Sequence, residues 1–208
     1  MSSIPITRHA LPADKVQAIR DRVRQATALA SSSEDTSRLA EPQDAEKLCQ
    51  LLSDPAVHAP IYSLPRPLTV QTVEAFIVRH LEERARGEGL LFLRVSPNGD
   101  VVGYSDIQIW PEWGAGDLAG ALRSDRQGRR EGTRGIITSF DWMFEALSLE
   151  LICATAALDN VRTAKMLDHL GFERKGEIVS VREDGTTRPS LVWEITREDW
   201  LSREANLA

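Results

Sequence analysis

Long apolar runs are missing from this chain. No stretch of about 18 consecutive apolar residues occurs in its 208 residues, so no segment is suited to cross a bilayer as a helix. The opening residues, Met1 to Lys15, lack an apolar h-region, and a secretory signal is not expected. Cysteine is scarce. Cys49 and Cys153 both sit in apolar settings, where free buried thiols are expected rather than a disulfide or a metal site, and a reducing cytoplasm fits. The four histidines (His9, His58, His80, His169) fall in neither metal nor triad spacing, so no metal is expected, and His169 most simply complements a helix C-terminus. Excess positive charge is also absent. The formal net charge of −6 argues against general nucleic-acid binding and is compatible with a cationic amine partner. No Gly-Lys pair occurs, which excludes a P-loop, and Gly128 and Gly132 do not give the Gly-x-Gly-x-x-Gly dinucleotide fingerprint.

What is present is a basic, glycine-containing loop, Arg126-Gln127-Gly128-Arg129-Arg130-Glu131-Gly132-Thr133, that empties onto an amphipathic helix. The helix carries Ile136, Ile137, Phe140, Met143, Phe144 and Leu147 on one stripe. Such a loop turns unpaired N–H groups and the positive end of the helix dipole toward one point, a geometry that binds phosphate. Glycine permits close backbone approach, and arginine adds bidentate donors. Arg123, Arg126, Arg129, Arg130 and Arg134 form a basic cluster on an acidic background. A solvated charged face is the usual meaning of such a run; the helix start behind it favours an anion site, and a pyrophosphate is the ligand suggested.

At 42% hydrophobic, the chain can bury a core as one domain with extensions. Periodicity predicts a helix over 12–30 and a serine-rich linker at 31–35, giving an N-terminal extension (1–36) and a main domain (37–208). Packing, homodimerisation or mobility are the roles open to that first helix. The main domain is predicted as a strand near 38–41, helices near 43–53 and 69–86, and strands at 90–95 and 101–109 around Pro97-Asn98-Gly99-Asp100. A strand near 117–123, a helix over 132–147 and a buried strand from Leu151 to Ala156 follow. A helix near 161–170 and two strands around Asp184-Gly185 close it. No internal repeat is visible.

The phosphate loop resembles the acetyl-CoA signature of the GNAT acetyltransferase superfamily, Gln/Arg-x-x-Gly-x-Gly/Ala, with Gln127 first and Gly132 last. Further matches are Asp159-Asn160-Val161-Arg162-Thr163, Leu170-Gly171-Phe172, and Arg38-Leu39 followed by Glu41-Pro42-Gln43-Asp44-Ala45. The pattern is most similar to the branch of ribosomal-protein N-terminal acetyltransferases and covers roughly residues 37–197. Arg130 departs from it by standing at the central glycine, either as an added phosphate donor or as a mark of a degenerate loop.

The resemblance implies an α/β fold of the α+β kind: a GNAT-like mixed, mostly antiparallel central sheet flanked by helices, with an extra N-terminal helix. The cofactor would lie where two parallel strands splay apart. It implies acetyl-CoA as co-substrate, with transfer to a primary amine on a protein N-terminus or a small molecule, and no nucleic-acid or membrane partner. The alternative is a non-catalytic acyl-CoA-binding regulator on the same fold. The cofactor would meet Gln127, Gly128, Arg129, Arg130, Gly132 and Thr133, a backbone N–H around Ala121 or Leu122 that polarises the thioester, and Asn160, which could equally cap its helix. The family's tyrosine acid is replaced by Leu167. Thr163 is the catalytic candidate in its place, or else a helix-start residue. Asp117, with Glu112 behind it, is the candidate general base, against the ordinary reading of a solvated carboxylate. Trp110, Trp113 and Tyr104 could wall an acceptor pocket. Acceptor choice would lie in loops 54–68 and 110–117.

Overall fold

A computed structural model describes residues 4–29, 34–127, 131–182 and 184–207. Its elements are α1 (Ala13–Gln25), β1 (Thr36–Leu39), α2 (Ala45–Leu52), α3 (Pro55–His58), α4 (Val70–Arg86), β2 (Gly89–Val95), β3 (Val101–Trp110), β4 (Ala115–Leu122), α5 (Glu131–Glu145), β5 (Leu151–Ala157), α6 (Val161–His169), β6 (Glu173–Val181), β7 (Thr187–Thr196) and α7 (Arg197–Leu207). The strands form one sheet in the order β1-β2-β3-β4-β5-β7-β6. Every neighbouring pair is antiparallel except β4 and β5, which run parallel and are joined by way of α5. The architecture is the mixed, mostly antiparallel sheet with flanking helices expected from the sequence.

Strand alternation divides the core between the two faces of this sheet. One face packs Phe92, Ile107, Ile152 and Trp193 against Phe140, Met143 and Phe144 of α5 and Trp200 of α7. The other packs Leu91, Leu93 and Tyr104 against Leu48 and Leu52 of α2 and Phe76 and Ile77 of α4. Local chemistry sets the element ends. Thr69 caps α4 through the Thr72 N–H, and Gly87, at φ +77°, supplies its left-handed stop. Gly99, at φ +83°, closes the β2–β3 turn by donating to the Ser96 carbonyl at 2.8 Å.

Three elements differ from expectation. The short helix α3 lies within the segment 54–68 expected as a loop, where the Asp54 side chain accepts the Ala56 N–H at 2.9 Å. The first helix stops at Gln25 rather than near residue 30, because the chain turns extended at Ala26 and Arg84 donates to the Ala26 carbonyl at 3.1 Å. Ile19 and Val23 are buried in the α5-side core. The terminal helix α7 was not foreseen, although its signal was present: the Thr196 hydroxyl accepts the Asp199 N–H at 3.2 Å, and Trp200 plugs the core. A stripe of one large residue is too thin for periodicity to register.

Arg38 and Asp44 lock the start of the fold. The guanidinium donates twice to the Asp44 carboxylate, at 2.6 Å each, and the same carboxylate accepts the Glu41 N–H at 2.9 Å. Burial alone would raise the Asp44 pKa, but the Arg38 and Glu41 bonds and the Arg38 and Lys47 charges together hold it below the usual carboxylate range. Because the pKa is depressed on folding, this stability is present at neutral pH and is lost as pH falls through the carboxylate range. Asp44→Asn is expected to cost about 2 kcal/mol at pH 7, since Arg38 can partly rehydrate. Thermal melts should show a drop of roughly 4–8 °C that closes as pH falls toward 3. An equal drop at both pH values would mean shape, not charge, is what Asp44 contributes.

Candidate active site

β4 and β5 are in register over three residues only, Ala115, Gly116 and Asp117 against Leu151, Ile152 and Cys153. β4 runs on to Leu122 and β5 to Ala157 without pairing, so the two strands fork just past Asp117. The fork opens into a cavity of about 710 Å³, lined by β4 from Asp117 to Leu122, by Gly132, Thr133 and Ile136 of α5, and by Asn160 and Thr163 at the start of α6. That volume suits a small-molecule or cofactor site.

The backbone of β4 is polarised across this fork. Arg123 N–H donates to the Val102 carboxamide oxygen at 2.8 Å, and the β3–β4 register is unbroken. Alternation therefore turns the peptide groups of Asp117, Ala119 and Ala121 toward β3, and those of Leu118, Gly120 and Leu122 toward the open edge. Of the two backbone donors considered on sequence, Leu122 lies on the open edge and the Ala121 N–H faces β3. The Gln127 side chain donates to the Leu122 carbonyl at 2.9 Å, which fastens the start of the basic loop to the end of β4. Gly128, Arg129 and Arg130 lie outside the described residues. Two other arginines of the basic cluster face carboxylates: Arg123 forks onto Asp125 at 2.8 and 3.0 Å, and Arg126 lies 3.9 Å from Asp35.

At α6, Asn160 Oδ1 accepts the Thr163 N–H at 3.1 Å, so the helix-capping role considered for Asn160 is realised. The same bond uses the Thr163 backbone, while its side chain lines the cavity. Glu112 is exposed in the turn after β3 and lines neither this cavity nor the second one below. Arg8 stacks on Trp113 at 4.5 Å, Trp110 lines the second cavity, and Tyr104 is buried in the core with its ring reaching the first.

Asp117 stands at the crotch of the fork. It retains contact with cavity solvent, yet protein surrounds it closely, and burial is the main cause that raises its pKa to about 7. The Asp106 charge adds to the rise, and the Leu118 N–H opposes it. Asp117 also lines a second cavity of about 520 Å³ with Ile4, Ser63, His80, Glu83 and Asp106. There His80 is buried with Nδ1 2.8 Å from the Phe76 carbonyl and Nε2 2.9 Å from Asp106 Oδ1. Both partners are acceptors, so the pair holds a proton on each ring nitrogen, or shares one across the Asp106 contact. Burial lowers the His80 pKa, but Asp106, the Phe76 carbonyl and Glu83 outweigh it and the net movement is upward. Glu83, 3.7 Å from His80, is raised chiefly by burial.

Sequence reasoning missed this cluster because it tested histidines for spacing between ligands. A different signal was available. His80 continues the α4 stripe of Val73, Phe76 and Ile77, and Asp106 occupies an inward position of β3. A charged residue on each of two apolar faces needs a partner, and they supply each other.

The family model described as an acetyltransferase (GNAT) domain matches residues 36–173. None of the curated proteins matches the chain. Among solved structures, the chain is similar to the ribosomal-protein-S5-alanine acetyltransferase from Vibrio fischeri, with a TM-score of 0.68 and 22% identity over 82% of this chain and 97% of that one. It is also similar to RimJ from Mycobacterium smegmatis in complex with CoA-disulfide, with a TM-score of 0.66 and 21% identity over 83% and 88%. The spermidine/spermine N-acetyltransferase SpeG from Vibrio cholerae gives 0.65 and 18% over 83% and 99%. At these identities the likeness is one of fold.

Proposed function

The chain belongs to the GNAT acetyltransferase family, and from that premise we propose that it is an acetyl-CoA-dependent N-acetyltransferase acting on a primary amine, either a protein N-terminus or a small molecule. The observation that carries the reading is Asp117 at the fork, a carboxylate with a pKa near 7 where the open edge of β4 begins. Acetyl-CoA supplies the acyl group as a thioester. The fit to this chain rests on the open β4 edge, the glycine-lined start of α5 and a cavity that joins them. Gln127, Gly132 and Thr133, with Gly128, Arg129 and Arg130 of the same loop, would hold the pyrophosphate. The Leu122 and Gly120 N–H groups would hydrogen-bond the thioester carbonyl oxygen.

Asp117 accepts the proton that the ammonium must lose before it can attack. A base near 7 is well matched to an α-amino group at about 7.7–8.0, and less so to a lysine amine at about 10.4. Burial at the fork, with the Asp106 charge added, raises that proton affinity. Thr163 is proposed as the hydroxyl that hydrogen-bonds the departing sulfur. Thr163→Val is expected to lower kcat by roughly tenfold while acetyl-CoA affinity changes little, because the contact strengthens only in the transition state. Loss of binding and stability together would assign Thr163 to the helix start. An acceptor screen that follows free thiol release from acetyl-CoA tests the function itself. Release above the hydrolytic background with at least one amine is expected, and none across α-amino acids, peptides and polyamines would overturn the reading.

A further inference from the structure

Three arginines converge where the β6–β7 hairpin leans over the segment between α3 and α4. The Arg182 and Arg188 guanidiniums lie over the Tyr62 ring at 4.1 and 4.2 Å. Arg188 donates to the Pro60 carbonyl at 3.1 Å, and Arg66 to the His58 carbonyl at 3.4 Å. The Nε donors of Arg182 and Arg188 are buried and have no hydrogen-bond partner. Among the described residues, no carboxylate comes within ion-pair distance of any of the three. Asp184 is held by the Thr186 N–H and hydroxyl, at 2.9 and 2.6 Å, and acts on Arg66 and Arg182 at longer range. Asp159 reaches Arg188 in the same way.

Like charges crowded with no ion pair among the described residues, in a chain of net charge −6, call for a reason. Burial, then the neighbouring Arg182, depresses the pKa of Arg66, and burial and Arg182 do the same to Arg188 against the favourable Tyr62 contribution. One more unmet donor belongs to this neighbourhood. Tyr104 is 4% exposed, lines the same cavity as Tyr62 and Arg188, and its hydroxyl has no partner. Arg66 is among the charges acting on it. The group therefore presents several forked N–H donors and one O–H donor, of which the Arg182 Nε, the Arg188 Nε and the Tyr104 hydroxyl have no partner among the described residues.

The cluster also has a definite place relative to the chemistry. It is held by backbone carbonyls just after α3, on the sheet face of α2 and α4, whereas the phosphate loop feeds α5 on the opposite face. Of the cluster, Arg188 and Tyr104 line the cavity that Asp117 also lines, and Arg66 and Arg182 do not. We propose that Arg66, Arg182 and Arg188, with the Tyr104 hydroxyl, form a subsite for an oxyanion carried by the acceptor. The substrate class is then an amine that carries a carboxylate or phosphate several bonds away, its ammonium at Asp117 and its anion at the arginines. This deepens the acetyltransferase reading and rests on it for the identity of the amine, but not for the existence of the anion site.

Two measurements keep those claims separable. Thiol release from acetyl-CoA is followed with matched acceptors: a short peptide with a free C-terminal carboxylate, its C-terminal amide, a long aminoalkyl phosphate, and a diamine of similar length. Calorimetry with an N-acetyl amino acid and its amide reads the anion site without any turnover. The variant is Arg182→Gln, because the Arg182 side chain donates no hydrogen bond among the described residues, and a thermal melt checks its fold. The anionic acceptors are expected to lead the amide and diamine, with carboxylate against phosphate identifying the anion. In Arg182→Gln the kcat/KM ratio of carboxylate to amide should fall roughly 10–100-fold, mostly through KM. The N-acetyl amino acid should bind where its amide does not, and lose that advantage in the variant. If amines are acetylated with no preference for an anion, and the variant leaves the ratio unmoved, the subsite is overturned while the enzyme reading stands. If the carboxylate binds and the variant abolishes this, yet no amine is acetylated, the subsite stands and the enzyme reading falls. Equal weakening of acetyl-CoA affinity in the variant would assign the arginines to the cofactor and overturn the proposal.

Discussion

Asp117→Asn is expected to lower kcat/KM by roughly 10²–10⁴ while leaving the protein folded and, above pH 7, more stable than the parent. Both effects come from one cause. Burial and the Asp106 charge raise the Asp117 pKa from 3.8 to about 7. A carboxyl whose pKa is raised by folding favours the native state while protonated, so that stability is fully present below about pH 4 and is lost as pH rises through 7. Above 7 the ionised group burdens the fold by up to roughly 4 kcal/mol, since each pH unit between the two values is worth about 1.36 kcal/mol. Asparagine carries no charge to bury. Its melting temperature should therefore exceed the parent's by several degrees at pH 8 and approach it near pH 4. Activity should move in the opposite sense. The parent's kcat/KM should climb through pH 7 as Asp117 ionises, and the variant should lack that limb, keeping only the one that belongs to the amine. An unchanged pH profile with near-parental kcat/KM would remove Asp117 from the chemistry and leave it a strained residue at a strand fork.

That fork shows how far the sequence could be read. The elements beside it were legible because each has a local cause: the continuous apolar run of β5, the turn residues before β3, and the α5 stripe of Phe140, Met143 and Phe144. Arg38 and Asp44 were legible as a motif, and the structure shows the bidentate pair behind it. The environment of Asp117 was not. Its proton affinity depends on burial at the fork and on Asp106, eleven residues earlier, which itself bonds His80 of α4, and no spacing rule links them. The arginine group was hidden for the same reason. Arg66, Arg182 and Arg188 come from two distant segments: Arg182 and Arg188 meet on the Tyr62 ring, and Arg66 bonds the His58 carbonyl. The basic run that did stand out in the sequence is partly neutralised by Asp125 and Asp35. Charge density along a chain predicts an anion site poorly, because neighbours in sequence bring their own counter-ions.

Gly132→Val is expected to abolish measurable acetyl-CoA binding, a loss of about 100-fold or more, with little effect on the free protein. Gly132 is the second residue of α5 and lines the forked cavity. An added Cβ there meets no atom within 4 Å, and the backbone is not in the left-handed region, so a side chain fits without strain. Valine is also slightly better than glycine inside a helix, by a few tenths of a kcal/mol. The melt of the free variant should thus lie within about 2 °C of the parent. What the branched side chain takes is the open space beside the helix N-terminus, where the backbone must come close to a phosphate. Gly132→Ala should lose less, since one methyl fills less of that space. Gly120→Ala provides the contrast on β4: its Cβ would lie 2.4 Å from the Tyr104 carbonyl oxygen, so it should unsettle the sheet before any ligand is added. A thermal-shift titration with millimolar acetyl-CoA reads all three. If Gly132→Val is stabilised by acetyl-CoA as strongly as the parent, the phosphates do not lie on this loop. If it melts far below the parent with no ligand present, the space around Gly132 belongs to the fold, and the helix start is a packing site rather than a phosphate cradle.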